Sequence, residues 1–149
     1  MNEIKIVVIS DTHGEIDSIK KIRQLHPNAN MFLHCGDSEL PVEQIDGFAA
    51  VKGNCDYFDY PLFRNIKTEL GNIYLEHGHC HTLTDEYIFS KNAVIFLFGH
   101  THRKYYKLIG NCHVANPGSL SRSRDGDKGS YLLITLSKNK IDFQFKELE

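Results

Sequence analysis

Five short polar segments each follow an apolar stretch: Ser10-Asp11-Thr12-His13-Gly14, His34-Cys35-Gly36-Asp37, Gly53-Asn54-Cys55-Asp56, His77-Gly78-His79 and Gly99-His100-Thr101-His102. Asp11 and His13 stand two apart, so in extended backbone their side chains project to the same side. Carboxylates, an amide oxygen and several imidazoles make a donor set suited to Mn²⁺, Fe or Zn²⁺ more than to Ca²⁺ or Mg²⁺ alone. The donors exceed what one ion needs, and two ions about 3.5 to 4 Å apart, bridged by a carboxylate, would use them all. The neighbouring glycines permit tight turns and close backbone approach.

Strands must hold these segments, and the hydrophobic pattern supplies them. Residues 4–9 are rich in β-branched side chains and read as a buried strand. Ile16, Ile19, Ile22 and Leu25 fall three apart and predict a helix ending at Pro27, with Thr12 and Glu15 as its capping box. Residues 31–33 and 48–51 predict two further strands, and this opening favours a parallel pair joined by a crossover helix. Residues 63–70 and 73–76 flank Gly71-Asn72, the best short hairpin signal in the chain. A short helix is expected over residues 85–91, and strands over 93–98, 105–109, 112–115, 131–136 and 141–145, with turns at Gly110-Asn111 and residues 137–140. That many strands in so short a chain predict a mixed α/β fold with two sheets, in one domain spanning residues 1–149. Ligands of α/β sheets gather outside the carboxyl ends of strands, so the five segments should converge.

Composition narrows the function classes. With 41% hydrophobic and 24% charged residues over 149 positions, the chain can enclose a core and is not of the disordered class. A formal charge of −2 provides no general basic footprint and counts against nucleic acid as a partner, although Arg122 and Arg124 form a local basic pair. No run approaches the roughly 18 to 20 apolar residues of a membrane span, and residues 4–9 lack a cleavage-type signal, so no membrane partner and a cytoplasmic location are expected. Cys35, Cys55, Cys80 and Cys112 contain no Cys-x-x-Cys pair and are expected as free thiols.

In order, Asp-x-His, Gly-Asp, Gly-Asn-x-Asp, His and Gly-His-x-His resemble the calcineurin-like metallophosphoesterase superfamily, in its short bacterial and archaeal phosphodiesterase branch. Asn116-Pro117-Gly118-Ser119 is similar to a further hallmark of that branch, so the resemblance runs from residue 11 to 119. It implies a four-layer α-β-β-α sandwich. It implies one metal held by Asp11, His13, Asp37 and His102, and a second held by Asp37, Asn54, His77 and His100, with Asp37 bridging. Mn²⁺ is the first expectation, with Fe, Zn²⁺ or Ni²⁺ as other ions the site would accept. The implied reaction is hydrolysis of a small phosphate ester, a phosphodiester before a monoester, by in-line attack of a metal-bridging hydroxide without a covalent enzyme intermediate. The resemblance leaves open a homo-oligomer. It also leaves open a scaffold role like that of the phosphoesterase-like retromer subunit, against which the intact set of seven ligand residues counts.

Two departures bear on chemistry. Cys55 occupies the position where larger members carry a histidine that protonates the leaving oxygen, and a thiol is a poor replacement. His79 and His81 are the candidate substitutes. Gly36-Asp37-Ser38-Glu39-Leu40 lacks the second acidic residue and arginine that larger members place after Gly-Asp. Asn116, Gly118 and Ser119 are expected to shape the phosphate pocket, and Arg122 to bind phosphate through its guanidinium fork. Tyr57, Phe58 and Tyr60 either wall that pocket or pack in the core, while His26, His34 and His113 read as structural. Taken singly, Asp11 would be a helix cap and Asn54 a turn residue; the metal reading rests on all five segments together.

Overall fold

The computed structural model describes residues 2–126 and 128–148. One sheet contains β1 (Ile4–Ile9), β2 (Met31–His34), β3 (Phe48–Ala50), β9 (Ser130–Ser137) and β10 (Lys140–Glu147), in the order β10-β9-β1-β2-β3. The other contains β4 (Phe63–Thr68), β5 (Gly71–Glu76), β6 (Ala93–Leu97), β7 (Lys104–Ile109) and β8 (Cys112–Pro117), in the order β4-β5-β6-β8-β7. In the first, β1, β2 and β3 run parallel and β9 is antiparallel to its neighbours β1 and β10. In the second, β5, β6 and β8 run parallel between the antiparallel edge strands β4 and β7.

Strand alternation divides the apolar residues among three layers. Ile6, Val8, Leu132 and Ile134 meet Ile73, Leu75, Ile95 and Leu97 between the sheets. The alternate residues Val7 and Ile9 pack outward against Ile19 and Ile22 of α1 (Ile16–Leu25). Tyr74, Phe96 and Val114 pack outward against Ile88 of α2 (Asp85–Phe89). Two mixed sheets thus lie between thin helical layers, which is the α-β-β-α arrangement expected. No helix among the described residues is long and apolar enough to cross a membrane.

Local details differ from expectation for physical reasons. Residues spaced three apart drift about 60° per step around a helix, so Leu25 points opposite to Ile16 and is 51% exposed, while Ile22 is fully buried. The capping box does not form: Thr12 Oγ1 lies 2.9 Å from His34 Nε2, and Glu15, at the cap position, accepts from Ser18 Oγ instead. The hairpin turns at Glu69-Leu70, since Thr68 pairs with Gly71 and Gly71-Asn72 lie within β5. Thr68 Oγ1 builds that turn by accepting from Leu70 N and donating to Gly71 O.

Candidate metal centre

The parallel strands β1, β2 and β3 of one sheet and β5 and β6 of the other deliver the five polar segments from their carboxyl ends. Immediately beyond the strands the chain turns sharply. Asp11, His13, Asp37, His100 and His102 all have left-handed φ values between 46° and 73°, a region where Asp and His are more tolerated than most residues but still strained. Strain of this kind persists where surrounding contacts impose it, and it collects at functional sites.

Close approach also requires glycine here. A Cβ on Gly53 would lie 2.0 Å from Asp37 Oδ1, and one on Gly99 would lie 2.1 Å from Ser10 Oγ and 2.8 Å from Asp11 Oδ2. Either substitution would push directly on an inward-facing carboxylate.

The inward atoms form two abutting groups. In the first, Asp11 Oδ1 lies 3.3 Å from His102 Nε2 and 3.9 Å from His13 Nε2, and the two nitrogens are 3.2 Å apart. His13 Nδ1 donates to Glu39 Oε1 at 2.7 Å and His102 Nδ1 to the Arg122 carbonyl at 2.9 Å. With those protons outward, both Nε2 atoms present bare lone pairs to each other in the neutral tautomer. In the second group, His77 Nδ1 donates to the Cys35 carbonyl at 2.8 Å, which turns its Nε2 toward Asp37 Oδ2 at 3.2 Å and Asn54 Oδ1 at 3.0 Å. His100 Nδ1 lies 3.1 Å from Asn54 Oδ1. Asp11 Oδ1 spans the two groups, 3.8 Å from His77 Nε2.

This concentration of lone pairs is what a cation would relieve. Among the described residues, Asp11 Oδ1 is the one buried side-chain oxygen or nitrogen without a hydrogen-bond partner, although its neighbour Oδ2 accepts from Ser10 Oγ and His100 N. An orphaned carboxylate oxygen in a fully buried residue is costly unless something positive completes it. The sets Asp11–His13–His102, His13–Asp37–Cys55 and Asp11–Asp37–His77 each bring their ligand atoms within 4.8 Å of one another. The donor atoms therefore fit divalent cations of the type that accepts mixed oxygen and nitrogen ligands.

Electrostatics agree with ionised carboxylates. Burial pushes the Asp37 carboxyl up, but the His77 hydrogen bond and charge, with the Cys55 amide, hold it down to about 2. Burial, then the neighbouring His77, lowers His34 to about 3, so it sits as a neutral strut between Thr12 Oγ1 and the Gly36 amide.

Two residues that the sequence reading gave no role are central to the site's geometry. Asp56, nearly buried, accepts from the amides of Asp37, Glu39 and Gly53, clamping the second and third segments together. Its place in Gly-Asn-x-Asp was the available signal. Glu39 orients His13, and no spacing rule foretells that contact, because it depends on the left-handed turns at Asp37 and Glu39. Glu39→Gln is expected to lower affinity for divalent ions about 10- to 100-fold, measured by competition with a chelating dye; unchanged affinity would show that His13 needs no such support.

The residues expected near the phosphate are placed differently from one another. Asn116, fully buried, donates to the Gly99 carbonyl and Thr101 Oγ1 and accepts from Gly118 N. Ser119, also fully buried, donates to the Asp11 carbonyl and accepts from Arg122 N. Their polar atoms thus brace the first and fifth segments. Gly118 is buried as well, whereas the Arg122 side chain is exposed. His79 is exposed, its ring 5.4 Å from that of His77 and 6.5 Å from that of His100. His81 stacks on Tyr87 at 4.6 Å, away from the ligand atoms. Tyr60 packs in the core with its hydroxyl on the Leu40 carbonyl, while Tyr57 and Phe58 are exposed. All four cysteines are free.

Comparison with known proteins bears directly on this site. A family model described as the calcineurin-like phosphoesterase superfamily domain matches residues 4–139. The chain is 30% identical to the probable metallophosphoesterase YsnB of Bacillus subtilis, over 95% of this chain and 90% of that one. It is 25% identical to the phosphodiesterase YfcE of Escherichia coli, over 88% and 87% of the two chains. A crystal structure of a conserved protein from Streptococcus pneumoniae, described as a predicted phosphoesterase, superposes with a TM-score of 0.85 at 28% identity, covering 99% and 98%. Solved structures of Vps29, all below 25% identity, share the fold alone.

Proposed function

The chain belongs to the calcineurin-like phosphoesterase superfamily, and from that premise we propose that it is a metal-dependent phosphoester hydrolase, a single catalytic domain cleaving small phosphodiesters at a two-metal centre. The observation that carries this reading is the buried, unpartnered Asp11 Oδ1 facing His13, His77 and His102. Asp11, His13, Asp37 and His102 would hold one ion, and Asp37, Asn54, His77 and His100 the other, with Asp37 shared. Mn²⁺ is the first candidate on the chemistry of the donors. When bound, such ions would supply an acidified water for in-line attack and neutralise charge on the phosphoryl oxygens.

The chain's own residues act by position. Glu39, the Cys35 carbonyl and the Arg122 carbonyl fix the imidazole tautomers, and Asp56, Asn116 and Ser119 hold the loops that carry the ligands. Of the four residues expected at the phosphate, Arg122 has the exposed side chain that would reach one. Among the described residues, neither Cys55 nor His79 is tuned to donate a proton to a leaving group near neutral pH. The Cys55 thiol is raised by burial and then by Asp37 and Glu39, and His79 is lowered by burial and then by His77 and His100. Hydrolysis should therefore depend steeply on the leaving group. A plot of log kcat against leaving-group pKa, across aryl methyl phosphates, is expected to slope strongly downward; a flat plot would reveal an acid.

The experiment that tests the function is turnover of bis-p-nitrophenyl phosphate against p-nitrophenyl phosphate by the metal-loaded protein. Faster diester cleavage is expected. Faster monoester cleavage would make it a phosphomonoesterase, and turnover of neither would favour the scaffold role.

A further inference from the structure

A cavity of about 480 Å³ opens beside His100 on the outer face of the second sheet, well within the roughly 300 to 1,000 Å³ typical of small-molecule sites. We propose that it receives one organic arm of the substrate, and that this arm is a planar heteroaromatic group of the nucleobase class. The proposal rests on the phosphodiesterase reading above. His100 lines the cavity and also touches Asn54 in the ligand cluster, so a phosphate held at that cluster projects an ester substituent into it.

The walls select the arm. The Tyr105 ring, 42% exposed although on a strand, meets Phe98 edge-on at 5.7 Å and 64°, leaving aromatic surface for stacking. Val114 forms an apolar floor, 2% exposed. An alkyl chain would satisfy the floor but would leave the exposed polar residues Asp85 and Thr82, which also line the cavity, without a complementary partner. A base presents a flat apolar face together with edge N–H donors for such acceptors. A smaller cleft of about 180 Å³, walled by Leu62 and Phe63 and lined by His77, shares Gly78 and His81 with the first. The His77 and His100 rings are 5.0 Å apart. Two clefts, one lined by His100 and one by His77, suit the two arms of a diester, whereas a monoester has only one.

The test uses two diesters with the same leaving group: the p-nitrophenyl ester of thymidine 5′-phosphate and methyl p-nitrophenyl phosphate. The metal-loaded wild type is expected to favour the nucleoside diester in kcat/KM by about tenfold or more, the scale of base–aromatic stacking. Tyr105→Ala should bring that ratio close to one, and Thr82→Trp, which crowds an exposed position on the cavity wall, should lower it too. A wild-type ratio near one, or a ratio unchanged in both variants, overturns the proposal and leaves the hydrolase reading standing. If neither diester is cleaved with Mn²⁺, Zn²⁺ or Ni²⁺, the hydrolase reading fails instead. Calorimetric titration of the metal-loaded protein with thymidine 5′-monophosphate then decides the cavity: weakening of tenfold or more in Tyr105→Ala supports it, and equal or absent binding in both proteins overturns it.

Discussion

Asp37→Ala is expected to lower kcat/KM for an activated phosphodiester by more than about a thousandfold, since the loss of a shared metal ligand should remove on the order of 4 kcal/mol of transition-state stabilisation. The reason is positional. Asp37 follows β2, lies in the groups formed with His13 and Cys55 and with Asp11 and His77, and remains ionised at neutral pH. On the proposed two-metal assignment its removal would take a ligand from each half of the centre, so metal content should fall with activity. Asp37→Asn preserves shape and separates charge from packing, and it should be nearly as inactive. Thermal unfolding of both variants checks that the fold survives. Activity within tenfold of wild type in the Asn variant would show that Asp37 is not the shared ligand.

Stripping divalent ions with a chelator should abolish turnover, and adding Mn²⁺ back should restore it. Stability should move as well, because ions that bind only the folded chain stabilise it by mass action. Free metal at a hundredfold above Kd contributes about 2.7 kcal/mol, which for a chain of this size raises Tm by roughly 5 to 11 °C. His13 Nε2 and His102 Nε2 lie 3.2 Å apart beside the unpartnered Asp11 Oδ1, so a bound ion would tie together groups that otherwise crowd one another. Calorimetry with and without chelator reads this shift; identical melting curves would mean that the cluster is satisfied without cations.

Much of the site was legible in the sequence, because its donors sit within a few residues of strand ends and those strands announce themselves as short apolar, β-branched runs. Asp11, His13, Asp37, Asn54, His77, His100 and His102 do come together, as the five segments required. The two-sheet arrangement was legible from the number of strands in so short a chain, while the division of β1 between two layers, with Val7 and Val8 facing opposite ways, came from the structure. What was hidden depends on turns and tertiary contacts. Glu39 reaches His13 only because the backbone passes through left-handed conformations. Asn116 and Ser119 look like turn formers that would face a ligand, yet they point inward to brace Gly99 and Asp11. Gly71-Asn72 carries the chain's best turn signal, but a Cβ on Gly71 would strike Val94 at 2.5 Å, and packing against β6 places that glycine inside the strand.

Metal content and metal–metal separation, measured on the reconstituted protein by elemental analysis and anomalous diffraction, test the central claim most directly. Two ions per chain, about 3.5 to 4 Å apart, are predicted, with Asp37 contacting both and Asn54, His77 and His100 on one of them. A single ion, or a second one bound away from Asn54, His77 and His100, would contradict it.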